Sequence, residues 1–165
     1  MEEEYTKIDM IYKQLTNFYL LKTNFDKLSS IINPSSQVSL RTIDWFVSKY
    51  AESHNLILYW SADGWSTTRT NSNYIDVFSA YNTQLKYHGK KYFDIFKRKN
   101  HVNNVIEFNG IKTTFSQLFF CKWIIETRLI DYIWKHADNI RQSDTIKIKS
   151  RRITKNSAEI ITIIN

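Results

Sequence analysis

The chain has 165 residues, 42% hydrophobic and 15% aromatic, with three glycines and one proline: enough apolar side chains for one core, too few breakers for a linker-rich or low-complexity protein. Its net charge of +7 is concentrated, because residues 84–101 and residues 147–155 each contribute +5 and the remainder sums to −3. Two basic segments on a near-neutral to acidic body point to a polyanionic partner rather than to general solubility, and a single cysteine excludes an internal disulfide or a cysteine-based zinc site.

No apolar run approaches the roughly 18 residues of a membrane span. The opening MEEEYTKID is acidic where a signal peptide is basic and then apolar. The expectation is a protein of a reducing compartment, not secreted and without a membrane partner. Abundant Ile, Asn, Lys and Tyr with scarce Gly and Ala match the bias of an AT-rich genome.

In chain order, residues 2–32 read as one helix, with Tyr5, Ile8, Leu15, Phe25 and Leu28 on its stripe, Lys22 interrupting it and Asn33-Pro34 ending it. Ser39 suits the N-cap of a second helix, SLRTIDWFVSKYAES, and the two are expected to form a hairpin. LILYW, residues 56–60, is a bulky β-favouring run and reads as a buried strand. Residues 62–73 read as a polar loop in which Trp65 and Arg69 are the large side chains. Trp65 is either a loop anchor folded over the core or a surface on which a base or sugar stacks.

From Ile75 onward, Phe78, Tyr81, Leu85, Tyr92 and Phe96 share one side of a helix. On that wheel Lys86, Lys90 and Lys97 form a second face, Lys91 and Arg98 a third, and Lys99 continues the run. Gly89 is the position at which this helix kinks or breaks. An ordinary solvated helix face pairs opposite charges at i, i+4, whereas only Asp94 interrupts this run. Among the aromatic residues near these lysines, Tyr87 is the one off the apolar stripe and a candidate for stacking.

VIEF-NG-IKTT carries the hairpin signature, Asn-Gly between alternating segments, with LILYW a candidate third strand. Residues 114–141 form the longest periodic stretch, opened by Thr114 with Gln117 at the capping-box position, and read as the central core helix. Cys121 lies on its apolar face as a small packed hydrophobe. TIKIK alternates like a strand, and the segment beyond it is basic, with Lys147, Lys149, Arg151, Arg152 and Lys155, before a β-prone EIITII. The expected fold is α+β: a mostly helical single domain over residues 1–144, with a small antiparallel sheet or hairpin, and a basic, partly extended C-terminal arm over residues 145–165.

No constellation for chemistry accompanies this pattern. His54, His88, His101 and His136 are scattered, Asp44, Asp76, Asp94, Asp131 and Asp138 stand singly, and there is no GxGxxG, P-loop or GxSxG. The expectation is a protein without enzymatic activity, metal or cofactor.

TQLKYHGKKYFDIFKRK, residues 83–99, resembles an SQLKxYxKKxFDPFxRR-type motif of small basic proteins encoded by nucleocytoplasmic large DNA viruses, matching at Gln84, Leu85, Lys86, Lys90, Lys91, Phe93, Asp94, Phe96 and Arg98. SLRTIDWFV, QLFFCKWIIETRLIDYI and the basic tail are similar too. Ile95 replaces the family's proline and His88 its tyrosine; without proline a helix through residue 96 becomes easier. The resemblance implies a viral protein in a cytoplasmic factory or a virion, and no mechanism. The expected function is nucleic-acid binding, to DNA first, through phosphates and without strong sequence preference. The alternative is a minor capsid or other structural protein that binds viral partners, with EIITII adding a strand to a partner's sheet.

Overall fold

The helical periodicity of residues 2–32 breaks at Leu20 and Leu21, which stand exposed at a corner between α1 (Glu2–Tyr19) and α2 (Lys22–Ile32). The Asn24 side-chain amide donates to the Phe18 carbonyl (3.0 Å) and ties the corner. The computed structural model describes residues 2–96 and 105–164. At the end of α2, Asn33 is extended (ψ 129°), as the residue before a proline must be, and its side chain accepts from Ser35 N (2.9 Å).

Ser39 caps α3 (Leu40–Trp45), its hydroxyl accepting from Thr42 N (3.1 Å). The same helix continues through a π-helical turn, Phe46–Tyr50, into α4 (Ala51–His54), and stops where Asn55 turns left-handed (φ 46°). The expected hairpin between these first two helical stretches is not the main packing. Instead α2 lies against α7 (Phe115–Glu126), and α3 lies against α9 (Ala137–Ile164).

β1 (Ile57–Ser61) is the strand read from LILYW, and it sits at the centre of a three-stranded antiparallel sheet, β2-β1-β3. One partner lies inside the expected loop over residues 62–73 and the other directly after it: β2 (Gly64–Ser66) sets Trp65 opposite Trp60, and β3 (Tyr74–Asp76) sets Ile75 opposite Leu58. A reading based on runs of alternating residues misses strands this short. The Asn-Gly hairpin forms as β4 (Ile106–Phe108) and β5 (Ile111–Thr113), with positive φ at both Asn109 (47°) and Gly110 (82°), as a two-residue turn demands. It is a separate two-stranded sheet, so LILYW is not its third strand.

Asp76 caps α5 (Val77–His88) by accepting from Ser79 N (3.1 Å). Gly89 (φ 74°, ψ 154°) separates it from α6 (Lys90–Phe93). Asp94 then closes a turn by accepting from Phe96 N (3.1 Å), even though isoleucine stands where the family motif has proline. Because the helix stops at Phe93, the stripe changes phase: Phe93 and Ile95 enter the core, and Phe96, expected there, is 48% exposed.

α7 is apolar on nearly all sides and forms the middle of the core, with Leu118, Phe119, Phe120, Cys121, Trp123, Ile124 and Ile125 buried. Thr114 caps it as predicted, accepting from Gln117 N (3.2 Å). The buried Tyr19 hydroxyl donates to the Leu118 carbonyl (2.7 Å) and fastens α1 to it. The predicted single helix over 114–141 is divided at Arg128, a left-handed non-glycine residue (φ 58°), and again at His136, giving α7, α8 (Leu129–Lys135) and α9.

α9 is also the largest departure from expectation. Residues 145–164, read as a partly extended arm with TIKIK and EIITII as strands, are helical. Local alternation loses here to continuity: no glycine or proline follows Gly110, so the helix anchored by buried Ala137 and Ile140 runs on through this Ile- and Thr-rich segment. The result, among the described residues, is a mostly helical α+β domain with two small antiparallel sheets around one core.

Candidate nucleic-acid interface

Of the eleven cations expected to form the interface, Lys97, Arg98 and Lys99 lie outside the described residues. The remainder fall on two surfaces. On the first, Lys86 and Lys90 are exposed on either side of the Gly89 break, so they do not continue one helical ridge. Lys91 is half-buried; its carbonyl accepts from the Ser116 hydroxyl (3.1 Å), which ties α6 to α7. Its ammonium lies 5.5 Å from the Tyr92 ring centre, and Lys7 of α1 approaches the same ring at 5.8 Å.

Tyr87 is 81% exposed and borders a groove of about 960 Å³ along α1 that Lys7 and Lys13 also line. Sequence reasoning weighed only the acidic opening MEEEYTKID and did not single out these two lysines. Only the packing of α1 beside α5 and α6 reveals them. His88, by contrast, faces inward, stacked parallel on Phe93 (5.6 Å) and against Phe119 (4.7 Å). Burial, and secondarily Lys122, hold its pKa below the usual histidine value.

The second surface is α9. At about 100° per residue, Lys147, Arg151 and Lys155 follow one ridge, Arg152 flanks it and Lys149 points to the other side. The first part of the helix is anchored. Ala137 and Ile140 are buried, the Arg141 guanidinium donates to the Gln37 carbonyl (2.7 Å), and Asp144 accepts from the Thr42 hydroxyl (2.9 Å) beside the Ser39 cap. From Ile148 to Asn156 every residue is exposed.

Lys147 marks the departure point. Its ammonium stands 5.1 Å from the Trp45 ring centre, and burial together with Arg151 and Lys49 lowers its pKa, Asp144 opposing. Lys49, on the π-helical turn, is therefore a further cation of this surface, one that the sequence did not single out. On the same stretch of helix Asp44 accepts from the Tyr81 hydroxyl (3.4 Å); burial and Asp94 raise its pKa to about 6 despite that bond and Lys49.

Trp65, the other stacking candidate, is engaged internally. Its indole N–H donates to the Thr127 carbonyl (2.7 Å) and its ring meets Trp60 edge-on at 5.0 Å. The cleft beside it is lined by Arg128 and Lys135, not by the lysines of α5 or α9. Arg69 is exposed. Cys121 is fully buried, and burial raises its thiol pKa, which suits a packed side chain.

A sequence profile described as a family of unknown function, DUF7197, matches residues 2–162. An uncharacterized protein of Acanthamoeba polyphaga mimivirus is 31% identical over 142 residues, covering 79% of this chain and 51% of the relative. The chain thus spans about half the length of that viral protein. No solved structure matches.

Proposed function

We propose that this chain, which belongs to the DUF7197 family of unknown function, is a non-enzymatic viral nucleic-acid-binding protein that grips phosphates through α9 and the lysines of α5 and α6. The observation that carries the reading is the ridge Lys147, Arg151 and Lys155, held on one helix whose base is anchored to the body and whose basic part is exposed. A helix with its cations on one ridge presents them together to a polyanion, whereas a floating arm must order itself on binding. DNA is the favoured target, in the host cytoplasmic factory or in the virion. Point-charge lysines neutralise phosphates and release counterions, but sequence readout needs arginine or amide groups fixed against base edges, so little sequence preference accompanies the binding.

Affinity for a blunt DNA duplex, measured against salt, tests the reading. About five phosphate contacts lower affinity by roughly two to three powers of ten between 50 and 200 mM salt. Absence of binding at 50 mM salt, to the duplex and to a single strand alike, would sink it.

A further inference from the structure

Where α9 leaves the body, it and the helix α3 to α4 enclose a groove of about 700 Å³, a size suited to a small planar ligand or a single nucleotide unit. Its wall is aromatic. Tyr50 meets Trp45 at 5.5 Å and is stacked between Phe46 (5.1 Å) and His54 (3.9 Å), so the exposed ring of His54 ends the stack at the groove. Its cations are Lys49 and Lys147, with Ile146 exposed at its edge. The π-helical turn Phe46–Tyr50 supplies part of this wall, and π-turns inside helices are frequent at functional sites. The indole N–H of Trp45 is buried and has no acceptor among the described residues.

We infer that this groove takes one unstacked base of a single-stranded nucleic acid, with the flanking phosphates on Lys49 and Lys147 and the strand continuing along Arg151 and Lys155. The inference rests on the nucleic-acid-binding reading above and adds the form of the target. The exposed His54 ring beside Lys49 and Lys147 suits a ligand that is planar at one end and anionic at the other. Glu52 also lines the groove. It disfavours a bare anion there, and offers an acceptor to an exocyclic amino group of a base. Burial and the like-charged neighbours Arg151 and Lys49 depress the basicity of Lys147, and a phosphate held beside it would offset that repulsion. The ridge along α9 advances about 6 Å for each step of four residues, so successive cations follow the strand outward.

The full chain is titrated with a fluorescein-labelled ten-residue oligodeoxycytidine and with an abasic strand of the same length at 50 mM salt. The base-bearing strand should bind at least tenfold more tightly, and Ile146→Trp, which fills the groove from a position 65% exposed, should erase the difference without changing the abasic affinity. Ile146→Ala, which leaves the groove open, should retain it. Equal affinity for the two strands, or a difference that survives Ile146→Trp, overturns the groove and leaves phosphate binding standing. If neither strand nor the duplex binds, the nucleic-acid reading falls and the groove with it.

Discussion

The Lys147 ammonium stands 5.1 Å from the centre of the Trp45 ring, at the point where α9 stops touching the body. One side chain therefore serves two ends: it packs on the α3 helix and begins the basic ridge. Lys147→Gln should lose about 0.5–1 kcal/mol of stability, the range for a cation over an aromatic face. Arg151→Gln and Lys155→Gln, both exposed, should leave the urea midpoint within error. Equal midpoints for all three variants would show that the ring contact contributes nothing.

The same three residues test the interface. Replacing Lys147, Arg151 and Lys155 together by glutamine removes three ridge cations, so the slope of log affinity against log salt should shrink by about three on any DNA sequence. Lys86→Gln with Lys90→Gln should reduce it by about two if the α5–α6 surface meets the same strand. An unchanged slope in the first variant, with a reduced one in the second, would move the interface to the face shared with Lys7 and Tyr87.

Trp65 separates anchoring from stacking. Trp65→Phe keeps most of the packing on Trp60 but strands the Thr127 carbonyl that now accepts at 2.7 Å. The expected cost is about 1–2 kcal/mol of stability, with nucleic-acid affinity unaltered. Weakened binding at full stability would return Trp65 to the interface.

Much of this architecture is legible locally. Ser39, Thr114 and the Asn109-Gly110 pair act through hydrogen bonds and dihedrals within a few residues of themselves, and each performs the role its neighbours imply. What depends on distant packing is not legible in that way. β3 is three residues long and exists because β1 is beside it. Lys49 joins the basic surface only because α3 lies against α9. TIKIK misleads for the opposite reason: its alternation is real, but it continues a helix already anchored at Ala137 and Ile140, with no glycine or proline to stop it.

Asp44 gives the fold a pH dependence of known sign. Burial and Asp94 raise its pKa from 3.8 to about 6. Below 3.8 the carboxyl is protonated in both folded and unfolded chains and imposes no penalty. As pH rises through the window between 3.8 and about 6, the unfolded chain releases the proton first, so stability falls, and the deficit is complete above the folded value. Its size is at most about 3 kcal/mol by the rule of 1.36 kcal/mol per unit. Asp44→Asn should therefore gain stability relative to the parent between pH 4 and pH 7, as read by urea denaturation at each pH. A constant difference across that range would show that Asp44 titrates normally.

Gly89 offers a test whose sign depends on the backbone. Were residues 77–93 one continuous helix, alanine at this position would stabilise it by about 1 kcal/mol. In the structure Gly89 holds φ 74° and ψ 154°, a conformation essentially restricted to glycine, and a Cβ there would meet no atom within 4 Å. Steric crowding from neighbours is thus absent, and backbone strain alone decides. Gly89→Ala should cost about 1–3 kcal/mol. It should also weaken DNA binding if the break is what sets Lys90 and Lys91 at their present angle to Lys86. A gain in stability would instead mean that α5 and α6 run as one helix, with Lys86 and Lys90 on one ridge.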